Sequence, residues 1–242
     1  MEKAEQKEWN LWEIYDDTQL QELEKLNEAY KAFLDAGKTE RECVDRTIAL
    51  AEAAGFRAYR RGMELKPGDK VYRANRGKAV MLAVLGRRGL DQGVNIAAAH
   101  IDSPRLDLKQ NPLYEADELA FLKTHYYGGL RKYQWVTIPL ELHGVVVLKS
   151  GQVVRVSVGN GEGDPLFTVD DLLPHLGAEQ SRKPLGEAIP AENLNILVGS
   201  RPLADDEGSD RVKLSILELL NRKYGIVEED FISAELSAVP AF

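Results

Sequence analysis

The sequence has few of the residues that most often mark a metal or redox site. There is one cysteine, Cys43, in 242 residues. That excludes a disulfide framework and a zinc ribbon, and Cys43 reads as a small buried residue on a helix. No apolar run approaches the roughly 20 residues needed to cross a bilayer, so no membrane partner is expected. The stretch "MEKAEQKEWNLWEIYDD" is acidic and lacks the apolar centre of a secretory signal. Together with the lone cysteine it fits a reducing, cytoplasmic compartment. A net charge of −8 argues against nucleic-acid binding. There is no Gly-x-Ser-x-Gly elbow, no Walker loop and no dinucleotide fingerprint following a strand. The glycine-rich "VGNGEGDP" lacks the lysine of a phosphate loop and reads as a connection. The four histidines show no His-x3-His or Glu-x2-His spacing, so no local metal box exists.

What is present is patterned. Residues 18–36 carry apolar side chains at helical spacing and end at Gly37. "TERE" then opens a second helix from Thr39 with a capping-box pattern. The period changes at "KVYRANRGKAVMLAVLG", two short strands about an Asn-Arg-Gly turn. Residues 57–88 are mostly basic. They form either a solvated hairpin surface or a positive rim for an acidic substrate or a neighbouring subunit. "GVNIAAAHID" has the length and continuous apolarity of a strand covered on both faces, with His100 and Asp102 at its C-terminal end. "VTIPLELHGVVVLKSGQVVRVSVG" predicts a hairpin about Ser150-Gly151. "FTVDDLLPHL" is a short helix or turn, "NLNILVGSRP" a strand, and "SDRVKLSILELLNRKYG" a helix with Ser209 as N-cap and Gly225 as stop. "FISAELSAVPAF" returns as an apolar strand. The acidic groups Asp16-Asp17, Asp170-Asp171, Asp205-Asp206-Glu207 and Glu228-Glu229-Asp230 are explained by capping or solvation.

His100 and Asp102 form the most chemically suggestive pair. Residues i and i+2 of an extended segment face the same side, and a carboxylate beside an imidazole fixes the tautomer of a metal-ligating histidine. A packed histidine next to an aspartate capping the turn before Pro104 would have the same spacing. The pair alone does not separate these readings. His125, His143 and His175 sit among aromatics, on an alternating strand and after a proline, and local packing or hydrogen bonding accounts for them.

Longer stretches are more specific. "AAAHIDSPRLDLKQNPLYE", "LKTHYYGGLRKYQWVTIPLELHGVV" and "DRVKLSILELLNRKYGIVEEDFISAELSAVPAF" together resemble the aspartyl aminopeptidase family of metallopeptidases, in its bacterial branch. The resemblance implies an α/β fold: part of a zinc-exopeptidase-type mixed sheet with flanking helices, interrupted by a β-rich inserted domain. It implies residues 1–105 as the amino-terminal part of the catalytic domain, 106–230 as the inserted assembly domain and 231–242 as the return strand. It implies a hydrolase that removes N-terminal residues from peptides with two zinc ions, or another divalent metal such as cobalt. A homo-oligomer, dodecameric in complete members, is also implied. His100 matches the first metal-binding histidine and Asp102 the aspartate that orients it. His175 is a looser candidate for reaching a neighbouring subunit's site. The bridging aspartate, the general-base glutamate and the remaining ligands fall downstream of "ELSAVPAF". The expectation is therefore a carboxy-terminally incomplete chain with little activity alone. The alternative is a non-catalytic assembly module derived from that family.

Overall fold

Residues 10–204 and 208–241 are described by the computed structural model. They fall into two compact units, Met1–Gly93 and Val94–Phe242. The first nine residues, the acidic group Asp205, Asp206 and Glu207, and Phe242 lie outside the described residues.

The first unit holds three helices, α1 (Leu11–Ile14), α2 (Asp17–Ala36) and α3 (Glu40–Ala53), and a sheet of β1 (Arg57–Ala58), β2 (Lys70–Asn75) and β3 (Ala79–Val84). A reciprocal capping box starts α2: Asp16 Oδ1 accepts the Gln19 N–H at 2.8 Å, and Gln19 Oε1 accepts the Asp16 N–H at 3.1 Å. At α3, Thr39 Oγ1 accepts the Glu42 N–H at 3.4 Å and its hydroxyl donates to the Glu42 carboxylate at 2.9 Å. Cys43 is buried on α3 with its thiol donating to the Gly37 carbonyl, and burial pushes the thiol pKa up. β2 and β3 pair about residues 76–78, one residue on from the expected Asn75-Arg76-Gly77 turn. β3 leaves Met81, Leu82 and Val84 exposed.

The second unit is built on an antiparallel six-stranded sheet in the order β7-β6-β9-β4-β5-β8. Its strands are β4 (Arg105–Ala116), β5 (Leu119–Tyr127), β6 (Leu140–Val147), β7 (Val153–Val158), β8 (Ile196–Gly199) and β9 (Glu235–Pro240). A single-turn helix α4 (Leu185–Ala188) precedes β8, and α5 (Arg211–Tyr224) follows it. β6 and β7 form the expected hairpin, Val147 opposite Val153. Alternation along the strands sends Leu106, Leu140, Leu142, Val146, Val156 and Leu236 into one apolar core. Each fully buried leucine is worth about 1.5–3 kcal/mol. Gly144 lies at φ +146°, and a Cβ there would stand 1.9 Å from the Glu235 carbonyl oxygen, so β6 and β9 approach where only glycine fits.

Two features differ from the sequence reading. Residues 93–104 are in neither helix nor strand, and 93–100 are exposed throughout. A strand needs neighbours for its N–H and C=O groups, and no described strand pairs with this run. The N-cap of α5 is Asp210, left-handed at φ +59° and without a side-chain cap bond, rather than Ser209. Glu115 of β4 takes the capping role: its Oε2 accepts the Val212 and Lys213 N–H groups, both at 2.8 Å. The two compact units divide after Gly93, and β9 lies between β6 and β4 in the second unit's sheet.

Candidate functional site

His100 stands at the end of the exposed run, five residues before β4 begins at Arg105. Its Nδ1 lies 2.9 Å from the Asp102 carbonyl oxygen and 3.3 Å from Asp102 Oδ1. Both partners are acceptors, so Nδ1 is the donor in this contact. The His100 side chain is 83% exposed. The ring is thus anchored through Nδ1 while most of the side chain is open to solvent.

Asp102 is itself held. The Tyr127 hydroxyl donates to Asp102 Oδ2 at 2.9 Å. That bond leads the causes that lower the Asp102 pKa below the ordinary carboxylate value; the backbone N–H of Asp102 and the His100 imidazole add to it. β4 and β5 set the geometry by pairing Arg105 opposite Tyr127. The Arg105 guanidinium stacks 4.2 Å from the Tyr127 ring centroid, and Arg105 Nε reaches Asp107 Oδ1 at 2.7 Å. Ser237 of β9 donates to the same oxygen at 2.6 Å. A continuous line of contacts therefore runs from His100 through Asp102, Tyr127, Arg105 and Asp107 to the centre of the sheet. Tyr127 lies inside "KTHYYGG" but carried no assigned role in the sequence. Its signal is the cross-strand register, which spacing along one segment cannot reveal.

The other histidines lie elsewhere. His125 is exposed on β5 and stacks on Tyr126. His143 is buried on β6 with Nε2 2.9 Å from Glu141 Oε2, both side chains almost fully enclosed. His175 is exposed in a turn beside Leu172, Leu173 and Leu176, which are themselves exposed. Among the described residues no three His, Cys, Asp or Glu side chains come together as a group able to hold a metal, so His175 is not brought to His100 and Asp102. Of the acidic groups, Asp230 is buried and structural: it accepts the Lys149 and Val227 N–H groups at 2.9 Å each. Among the described residues no helix is long and apolar enough to cross a membrane.

Residues 33–241 match the family described as aminopeptidase I zinc metalloprotease (M18). The chain is 53% identical over 236 residues to a probable M18 family aminopeptidase 1 of Clostridium acetobutylicum, covering 96% of this chain and 51% of that protein. A crystal structure of an M18 family aminopeptidase from Thermotoga maritima superposes with a TM-score of 0.91 at 40% identity, over 98% of this chain and 51% of the other. Aminopeptidase I from Borrelia burgdorferi gives 0.85 at 38% identity, over 97% and 53%. The mixed α/β fold is that of these solved structures. The chain thus spans about half the length of the relatives it matches.

Proposed function

We propose, from the premise that this chain belongs to the aminopeptidase I zinc metalloprotease (M18) family, that it is the amino-terminal half of a metal-dependent aminopeptidase acting on peptides in the cytoplasm. The observation that carries this reading is the largely exposed His100 ring, anchored to Asp102 through its Nδ1.

His100 would hold one of two divalent metals, zinc or cobalt, through Nε2. Asp102 would fix the tautomer, and Tyr127 would keep Asp102 ionised and in place. When bound, such a metal activates a water and polarises the scissile carbonyl. One imidazole cannot hold two metals, and neither His100 nor Asp102 is placed as a general base. We assign the remaining ligands and the base to sequence outside these 242 residues. The exposed apolar run 93–99, leading straight into His100, supports that reading, because it offers an unpaired strand to a further part of the catalytic sheet. An insertion must leave and return at one place. Leu106 opposite Ala238 and Asp107 opposite Ser237 meet that requirement, which supports 106–230 as the inserted domain between 1–105 and 231–242. The exposed leucines around His175 support a homo-oligomer, a dodecamer by family likeness, in which that turn meets a neighbour's site.

The same apolar turn would serve an assembly module with no catalysis. The two readings separate on complementation. The chain is mixed with a polypeptide carrying the matching second half of a relative, and hydrolysis of aspartyl and leucyl chromogenic amides is followed with zinc or cobalt. The chain alone is expected to give little turnover, and the mixture metal-dependent turnover that H100A abolishes. Metal-dependent turnover by the chain alone would overturn the assignment of the missing ligands. An inactive but assembled mixture would favour the assembly module.

A further inference from the structure

A cavity of about 260 Å³ lies between α5 and the six-stranded sheet. Its floor is Leu122, Leu142, Val156 and Val158, and its roof is Ile216 and Leu220. Two contacts between helix and sheet bracket this space. At one end, Gly199 of β8 lets α5 settle closely: a Cβ there would stand 2.7 Å from Ile216 Cδ1. At the other, Tyr224 spans the gap as a strut, its hydroxyl donating to the Ser157 carbonyl of β7 at 2.7 Å. Between these supports the short side chains of Val156 and Val158 leave room.

The mouth carries a different chemistry. Lys223 and Asp164 line it and form an ion pair at 3.1 Å. Asp164 belongs to the glycine-rich connection after β7 and also accepts the Gly159 and Gly161 N–H groups at 3.3 and 3.2 Å. Lys223 belongs to the last turn of α5. The cation sits on a helix, while its carboxylate partner sits on the glycine-rich connection and keeps the Gly159 and Gly161 amides as partners of its other oxygen. A ligand carboxylate could take the place of Asp164 without leaving Lys223 unpaired. A ligand cation would have to displace the helix end.

We propose that this cavity binds a medium-chain monocarboxylate, with the alkyl tail between α5 and the sheet and the carboxylate on Lys223 in place of Asp164. Size sets the chain length. An apolar cavity of roughly 150 Å³ accommodates benzene, so this one takes a tail of about seven to nine carbons. The site is separate from the His100 line of contacts, and its failure would leave the proposed function untouched.

The test is calorimetric titration of the purified protein with hexanoate, octanoate, decanoate and hexadecanoate, and with 1-octanol as the uncharged probe. Affinity is expected to rise roughly fourfold per CH2 up to decanoate and then fall. Lys223→Gln should weaken octanoate about tenfold while leaving 1-octanol unchanged. Leu220→Phe, which fills the roof, should remove both without lowering Tm. Lys223 is half-exposed, so its substitution does not threaten the fold and its arm stands even if L220F misfolds. No heat with any carboxylate, or K223Q weakening octanoate and octanol equally, would overturn the proposal. So would affinity that climbs on to hexadecanoate and ignores L220F, since that marks adsorption on exposed apolar surface.

Discussion

Tyr127 decides how well His100 is presented. Its hydroxyl holds Asp102, and Asp102 holds the imidazole. Replacing Tyr127 by Phe removes one donor and keeps the ring beneath Arg105. The Asp102 carboxyl should then titrate higher, back toward the ordinary aspartate value of about 3.9, as followed by its carboxyl carbon resonance. In the protein completed by its second half, zinc affinity should drop about tenfold, the usual scale for losing an outer partner of a metal-ligating histidine. The His100–Asp102 contact is short-range, two residues apart in one segment, which is why spacing could suggest it. Tyr127 was not legible in this way, because it meets Asp102 only through the pairing of two strands, 25 residues apart in sequence. Glu115 was hidden for the same reason.

At the scale of elements, α5 starts without a local side-chain cap and borrows Glu115 from β4. Glu115→Ala should cost about 1 kcal/mol, as loss of a good helix cap does, and lower Tm by a few degrees, whereas Ser209→Ala should change little. Sequence reasoning favoured Ser209 because caps are normally found next door in the chain. The other end of α5 gives a pH dependence. Lys223 is the main cause holding the Asp164 carboxyl below its ordinary pKa, with the Gly159 and Gly161 amides adding to it. A carboxyl lowered on folding stabilises the native state above its unfolded pKa of about 3.9. That contribution is lost as pH falls through the lower, folded value. Urea denaturation followed from pH 6 to pH 3 should show a steeper loss of stability for the protein than for Asp164→Asn. Equal slopes would mean that the pair contributes nothing. Hairpins and helices were mostly legible, because their patterns are local: α2, α3 and the β2–β3 and β6–β7 pairings fall where periodicity and turn residues put them. The run at 93–99 was not, because its strand character depends on neighbours rather than on its own residues.

At the scale of the whole molecule, exposed apolar side chains lie in both units. Met81 and Val84 of β3 and Val94 and Ile96 of the following run are all exposed. Exposed apolar side chains of this kind, in either unit, mark surface that a partner can cover. The chain alone should therefore bind an apolar dye such as ANS and self-associate with rising concentration, despite a net charge of −8. Adding the matching second half of a relative should suppress both. Dye binding that does not change on complementation would count against the assignment of this surface to the catalytic sheet.

The position of β9 also sets an order of events. It comes last among the described strands, yet it lies between β6 and β4, and its Ser237 bonds Asp107 across 130 residues. During synthesis the inner edges of β4 and β6 stay open until residues 235–240 leave the ribosome, so the second unit closes late and through distant contacts. A ribosome that stalls before Glu235 releases a chain with two unpaired strand edges facing each other, the form most prone to pair with another copy.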